Sequence, residues 1–295
     1  MDGVARLLYS FSMSIKNHKR PERPIAFARG LKSLALTASA VLLGGSGYGS
    51  SAPNLTPGEI GAVASVLDGD TLYLEGGLKV RLAGIQAPKL PLGRKGFKAW
   101  PLGSEARSAL SLLTKGQQVQ LFYGGKRRDR YDRALAQIYT LRPDGTRDQW
   151  VQQEMVRGGW ARVYTWPDTV LDAAALYKAE GTARAAGRGI WGHDFYAMRS
   201  PEPNMLAQDV DSFQLVEGII TSAADIRGRT YLNFGADYKT DFTLTIAKSD
   251  RKAFTRLGLD PLSLEGAKVR ARGWIELSNG PMIWLDHPER LEILD

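Results

Sequence analysis

The chain of 295 residues has no cysteine and only three histidines, His18, His193 and His287, scattered without metal-ligand spacing. Thiol catalysis, thiolate-held zinc and a disulfide framework are therefore excluded, and the redox compartment is left open. No Gly-rich phosphate loop and no Ser-His-Asp arrangement stands out. Long apolar runs are also missing. SLALTASAVLL (33–43) reaches only about half of the roughly 20 residues that span a bilayer, so no stable membrane span is expected.

What remains is an ordinary globular composition, 43% hydrophobic and 24% charged, in a chain long enough for one large domain or two ordinary ones. The net charge of +8 is uneven: residues 1–55 carry +5, residues 56–196 carry +6 and residues 197–295 carry −3. The basic middle suits a nucleic acid or another polyanion, because Lys and Arg displace counterions condensed on phosphates. The acidic last third argues against a second such site there.

The first 52 residues read as a targeting leader. Lys16, Lys19, Arg20, Arg23, Arg29 and Lys32 precede the apolar run, and small residues Ser50 and Ala52 follow it where a signal peptidase reads. A periplasmic or secreted location is expected. An uncleaved leader acting as a membrane anchor, or a plain basic tail, are the alternatives.

After a polar link (53–59), GAVASVLD, DTLYLEG and LKVRLAGI alternate in period two between DG and GG turns and predict three antiparallel strands. SEARSALSLLTKG predicts a helix opened by Ser104 and closed by Gly116, and QQVQLFY and ALAQIYTL two more strands. TRDQWVQQEMVRGG and DTVLDAAALYKAEGTARAAGRG predict further helices. The fold class is α+β and mainly β, with an OB-like five-stranded barrel and flanking helices over 60–196. A polar, proline-bearing linker (197–211) leads to residues 212–295, where the order of elements predicts a second, smaller OB-like β domain.

DGDTLYLEGGLKVRLAGIQAP, GSEARSALSLLTKG, RDRYDRALAQIY, VRGGWARVY and ARAAGRGIWG, in that order, resemble the staphylococcal nuclease (thermonuclease-like) family over about residues 60–195. The resemblance implies an OB-like barrel and Ca2+-supported hydrolysis of DNA and RNA phosphodiesters. It makes Asp70 a Ca2+-binding carboxylate and Arg81 and Arg133 the two arginines that clamp the phosphate. Arg130 and Tyr131 match basic and aromatic positions beside the nucleotide.

Three departures oppose that activity. Gln86 stands where the family has a second metal carboxylate, Lys89 where it has the glutamate proposed as general base, and Asp132 where it has glycine. An amide lacks the charge that retains Ca2+. The Lys89 ammonium would repel a nearby cation by about 1–4 kcal/mol per unit charge at 4 Å, and loss of a general base costs roughly 10²–10⁴-fold. A Ca2+ cofactor is thus in doubt.

Plainer readings stand beside these. DGDT is also an ordinary β-turn, and Arg81 and Arg133 could pair with Asp70 and Asp132. The run Lys126, Arg127, Arg128, Arg130 and Tyr131 is either a solvated hairpin tip or a substrate-binding surface. Residues 90–103, with Arg94, Lys95 and Lys98, form either a basic flap or a loop packed on the barrel. Trp160, Tyr164 and Trp166 could offer stacking faces, as could Phe213, Tyr231, Phe234, Phe242, Trp274 and Trp284 in the last third, though its charge favours a protein partner. Glu105 and Asp132 are weak candidates for a substitute base. Three functions follow: a polyanion-binding protein on a disabled nuclease fold, an active Ca2+-dependent nuclease, and an envelope interaction scaffold. Whether the chain is an enzyme stays open on the sequence.

Overall fold

The computed structural model describes residues 55–170 and 172–294, and the leader expected over 1–52 lies outside the described residues. Strand β1 (Thr56–Asp68) pairs antiparallel with β2 (Thr71–Leu74), which turns at Gly76 and Gly77 into β3 (Lys79–Leu82). Both glycines have positive φ, 85° and 88°, as a tight hairpin requires. A two-residue β4 (Ile85–Gln86) leads through the 87–102 loop to α1 (Gly103–Thr114). Then come β5 (Gln118–Tyr123), β6 (Ala134–Leu141) and β7 (Arg147–Trp150).

The sheet order is β3-β2-β1-β5-β6-β7, and β3 also pairs parallel with β6. That pairing closes five strands into a barrel and leaves β7 outside the ring. Helix α2 (Val151–Arg157), β8 (Arg162–Val163) and α3 (Ala173–Ala185) follow, with β8 against β4. Period-two alternation sends Val80 and Leu82 into a core with Leu72, Leu110, Leu121, Ile138, Met155 and Leu176. Lys79 and Arg81 point to the other side.

Two local expectations are corrected. Leu102, not Ser104, caps α1, with a left-handed φ of 62° and no side-chain capping bond. Residues 147–150 are strand rather than helix, because they complete an antiparallel ladder with β6 in which Trp150 lies opposite Tyr139.

The expected linker is folded down: α4 (Pro203–Leu206) lies within it, and Arg199 Nε bonds Asp209 at 2.6 Å. Beyond it the chain forms β9 (Phe213–Ile219), β10 (Ser222–Ile226), β11 (Arg229–Asn233) and β12 (Thr243–Ile246). Helix α5 (Arg251–Arg256), β13 (Lys268–Trp274), β14 (Glu276–Leu277), β15 (Pro281–Trp284) and β16 (Leu291–Leu294) complete it. FQLVEGIITSA therefore spans two strands, because the chain leaves one sheet for the other near Ile220. The sheets are β10-β11-β12-β15-β14 and β16-β13-β9, with a core including Val216, Leu232, Phe242, Ile246, Phe254 and Ile283. Among the described residues no ladder joins these two sheets, unlike the closed ring of the first barrel.

The two halves meet through polar and aromatic groups. Arg272, fully buried, donates to Val163 O at 3.1 Å and pairs with Glu180 at 2.9 Å and with Glu292. Thr165 Oγ1 lies 2.7 Å from His287 Nε2, and the Tyr164 and Phe213 rings are 4.6 Å apart. Phe213, Phe242 and Tyr164 are thereby buried and unavailable as stacking faces. Trp160 packs on the first core and Trp166 on the Tyr164–Phe213 cluster. Among the described residues no helix is long and apolar enough to cross a membrane.

Candidate functional site

The turn between β1 and β2, strand β3 and the segment after β4 bring Asp70, Arg81 and Lys89 together. Gly69 permits the approach, since a Cβ there would lie 2.6 Å from Ala87 Cβ and 2.8 Å from Ala106 Cβ. The turn is held by Asp68 Oδ1, which accepts from the Asp70 amide at 3.1 Å. The bland β-turn reading of DGDT is thus correct for Asp68, while Asp70 points inward.

The Asp70 carboxylate is completely buried and its oxygens are engaged. Oδ2 accepts from Lys89 Nζ at 2.5 Å and from the Ala87 amide at 2.7 Å, and lies 3.3 Å from Arg81 Nη2. Oδ1 accepts from Thr71 Oγ1 at 3.2 Å. Burial alone would raise this carboxyl, but Arg81, Lys89 and the Ala87 amide outweigh it and hold it far below the ordinary carboxylate range. The neighbouring Asp68 moves the other way, pushed up by its own burial and by the charge of Asp70. Burial, helped by Arg81, draws the Lys89 ammonium down against the pull of Asp70.

Arg81 is further tied to its own barrel, donating to Ile85 O at 2.7 Å and to Leu82 O. Its side chain is 12% exposed and that of Lys89 is 21% exposed, so the cluster is reached from solvent only at the cationic side. Gln86 is turned away from Asp70. Its Oε1 accepts from Arg162 Nε at 3.0 Å and Nη2 at 2.7 Å, across the β4–β8 pair. Arg162 is buried, and desolvation pulls its guanidinium down to about 10. Neither this role of Arg162 nor its hold on Gln86 was read from the sequence, although VRGGWARVY contains it; only the register of two short strands reveals it.

Arg133 does not join Asp70, nor does it pair with Asp132. Asp129 takes it, through Nε at 2.7 Å and Nη2 at 2.6 Å, and also accepts from the backbone amides of Tyr131 and Arg133. That carboxylate organises the β5–β6 hairpin. Asp132 has φ 59°, the left-handed conformation in which glycine is at home and Asp is tolerated. This is the physical reason it can replace the family's glycine. Around the hairpin Lys126, Arg127, Arg128 and Arg130 are exposed, and Tyr131 is 60% exposed. Arg130 and Arg133 lie over the Tyr131 ring at 4.7 and 5.3 Å. Among the described residues Lys126 and Arg130 form no salt bridge, while Arg127 and Arg128 have loose ones at 3.9 and 4.0 Å.

The 90–103 loop is packed down rather than free: Trp100 N bonds Lys89 O at 2.8 Å, and Tyr196 Oη donates to Pro101 O at 2.7 Å. Arg94 lies on the Phe97 ring at 3.6 Å. Glu105 and Asp132 are both exposed, and neither is in the Asp70 cluster.

A Ca2+ ion takes six to eight oxygen ligands, several of them anionic. The donors here do not fit it. Asp70 is saturated by two cations and an amide, Gln86 by Arg162, and Asp68 faces its own turn. Among the described residues no three Asp, Glu or His side chains form a metal-holding group.

Comparison with known proteins places a family match on the part of the chain from β3 to the end of the first half. Residues 79–193 match the family model described as "Staphylococcal nuclease homologue". The chain is 30% identical over 161 residues to "Endonuclease YhcR" of Bacillus subtilis, covering 51% of this chain and 13% of that protein. It is 39% identical over 117 residues to "Probable endonuclease lcl3" of Pyrenophora tritici-repentis, covering 39% of this chain and 41% of that one. A protein of the same printed name from Phaeosphaeria nodorum is 32% identical over 139 residues, with 46% and 45% covered. The chain thus spans less than half the length of each of these relatives.

Proposed function

From the premise that residues 79–193 are a staphylococcal nuclease homologue domain, we propose an exported protein that binds nucleic acid through the β5–β6 hairpin and cleaves it weakly or not at all. The observation that carries the reading is the Lys89 ammonium seated 2.5 Å from Asp70 Oδ2. It neutralises the carboxylate that the family resemblance assigns to Ca2+, and it stands where the resemblance calls for a base. Cleavage of a phosphodiester needs a nucleophilic water and stabilisation of developing charge. Arg81 can still contribute charge from the rim of the cluster, but no unengaged carboxylate accompanies it.

Binding rests on a different part of the barrel. Lys126, Arg127, Arg128 and Arg130 present four cations at one tip, and Asp129 fixes the turn there by accepting from the Tyr131 and Arg133 amides. Tyr131 offers an exposed ring with two guanidiniums already against it, a surface on which a base can stack. Export rests on the basic and apolar leader. The C-terminal half, read as OB-like, is anchored to the barrel through Arg272 and His287.

The test is a pair of assays on the full chain. Single-stranded DNA is expected to bind in EDTA with a log–log salt slope of about −3, from four cations at roughly −0.7 each. Addition of Ca2+ is expected to produce no cleavage, whereas Gln86→Asp with Lys89→Glu, which restores two acids, is expected to raise Ca2+-dependent cleavage. Robust Ca2+-dependent cleavage by the parent overturns the reading. It would support the alternative of an active endonuclease, which the printed names of the relatives favour.

A further inference from the structure

On the side away from its core, the C-terminal five-stranded sheet carries half-buried basic and aromatic side chains, Arg229, Tyr231 and Trp284, over a fully buried Thr245. In this sheet Leu232, Leu244, Ile246, Ile283 and Leu285 point into the core. Alternation therefore sends Arg229, Tyr231, Thr245 and Trp284 to the opposite face. Register aligns them: Tyr231 lies opposite Thr245, and Thr245 opposite Trp284. The Arg229 guanidinium lies 5.1 Å from the Trp284 ring centre and donates to Tyr231 Oη at 3.3 Å. Glu276, which pairs with Met282 and so shares this face, accepts from Trp284 Nε1 at 3.2 Å and fixes the ring. Between the two rings Thr245 Oγ1 is buried without a hydrogen-bond partner.

Charge distribution singles out the same edge. The last third is acidic overall, yet its basic groups are not evenly used. Arg199, Arg251, Lys268, Arg270, Arg272 and Arg290 are all held in salt bridges. Arg227, Arg229, Lys239, Lys248, Lys252 and Arg256 form none among the described residues, and all but Lys239 belong to the β10–β11 turn, α5 or the residues just before it. Gly228, φ 83°, lets Lys248 lie across that turn, since a Cβ there would meet Lys248 Cδ at 2.8 Å. Of the nearby acids, Asp225 pairs with Arg251 and Asp286 with His287 and Arg290, while Asp250 accepts from Ser249 and Glu276 from Trp284.

We propose that this face binds single-stranded nucleic acid, its bases stacking on Trp284 and Tyr231 and its phosphates lying toward Arg227, Arg229 and Lys248. Two aromatic faces bridged by a guanidinium match the π-face of an unpaired base, and a cationic rim matches the backbone beside it. A duplex hides its bases and gains only the rim. The inference rests on the reading that the chain meets nucleic acid, but it uses none of the hairpin residues.

The experiment titrates fluorescein-labelled oligothymidylate into the full chain in EDTA and follows anisotropy. It compares the parent, Trp284→Leu with Tyr231→Leu, and a hairpin variant with Lys126, Arg127, Arg128 and Arg130 changed to Ala. The platform variant is expected to bind about tenfold more weakly to the single strand and nearly unchanged to a duplex. Trp284→Phe, which keeps a stacking face, is expected to recover most of the loss, separating stacking from misfolding. An unchanged single-strand affinity in the platform variant overturns this inference even if the hairpin variant is impaired. An unchanged affinity in the hairpin variant, with loss in the platform variant, overturns the hairpin reading and leaves this one standing.

Discussion

Two buried charge clusters in this molecule look alike and do different things. At the end of β1, Asp70 is enclosed by Lys89 and Arg81; between the two halves, Arg272 is enclosed by Glu180 and Glu292. In the first the carboxylate is sealed in while the cations reach solvent, 21% and 12% exposed. In the second the cation is sealed in, and Arg184 and Arg270 extend the network on either side. Burial raises the Asp70 carboxyl and lowers the Arg272 guanidinium, and in each case the opposite charges overturn it. Asp70 ends far below its usual range and Arg272 far above its own. The contrast teaches that the Asp70 cluster is an open-sided cleft filled by the protein's own cations. The Arg272 cluster is a joint.

The comparison can be broken most forcefully at the joint. Arg272→Ala leaves Glu180 buried with Arg184 at 3.5 Å as its one remaining charged partner, beside the Val163 amide at 2.7 Å, and is expected to cost about 3–5 kcal/mol. Calorimetry is expected to show a lower Tm and separate unfolding of the two halves; a single transition at the parental Tm would contradict the structural role of Arg272.

Asp70→Asn should cost less, about 1–3 kcal/mol, by leaving Lys89 and Arg81 without their paired carboxylate, Asp68 being the one acid still near both. A carboxylate held for an absent Ca2+ would instead be dispensable, so denaturant unfolding of this variant distinguishes the two roles.

The same residue predicts an acid limb. Its folded pKa lies below the unfolded value of 3.8, so its contribution is present above about pH 4 and is lost as pH falls through the folded value. Asp68 works oppositely: its folded pKa is raised, so its share is present below the unfolded value and lost as pH rises. Stability followed by circular dichroism is expected to fall less between pH 6 and pH 2 in Asp70→Asn than in the parent.

The smallest effect on stability belongs to the hairpin. Changing Lys126, Arg127, Arg128 and Arg130 to Ala is expected to alter folding free energy by only about 0.5 kcal/mol per surface site. Its effect should appear in the flattened salt dependence of DNA binding instead.

Much of the barrel could be read from the chain, and the reason is locality. DG and GG turns, period-two runs and the apolar face of α1 are signals carried within a few residues. The clearest misreading falls where a distant partner decides, since 147–150 is strand because β6 lies beside it; the start of α1 is a local misreading, at a left-handed Leu102. The site was half legible. Lys89 and Gln86 stood out as departures, but the sequence offered Asp132 as a partner for Arg133, whereas Asp129 is the one within reach.

By itself the sequence determined the class of barrel and the basic hairpin, since these depend on residue type and short-range pattern, and it put an amide at position 86 and an ammonium at position 89. Tertiary structure alone decided that Lys89 sits on Asp70, that Arg162 holds Gln86 from 76 residues away, and that Arg272 reaches Glu180 across 92. Charges have no fixed sequence period; their partners are selected by distance and by loss of water, and both exist only after the chain has closed around them.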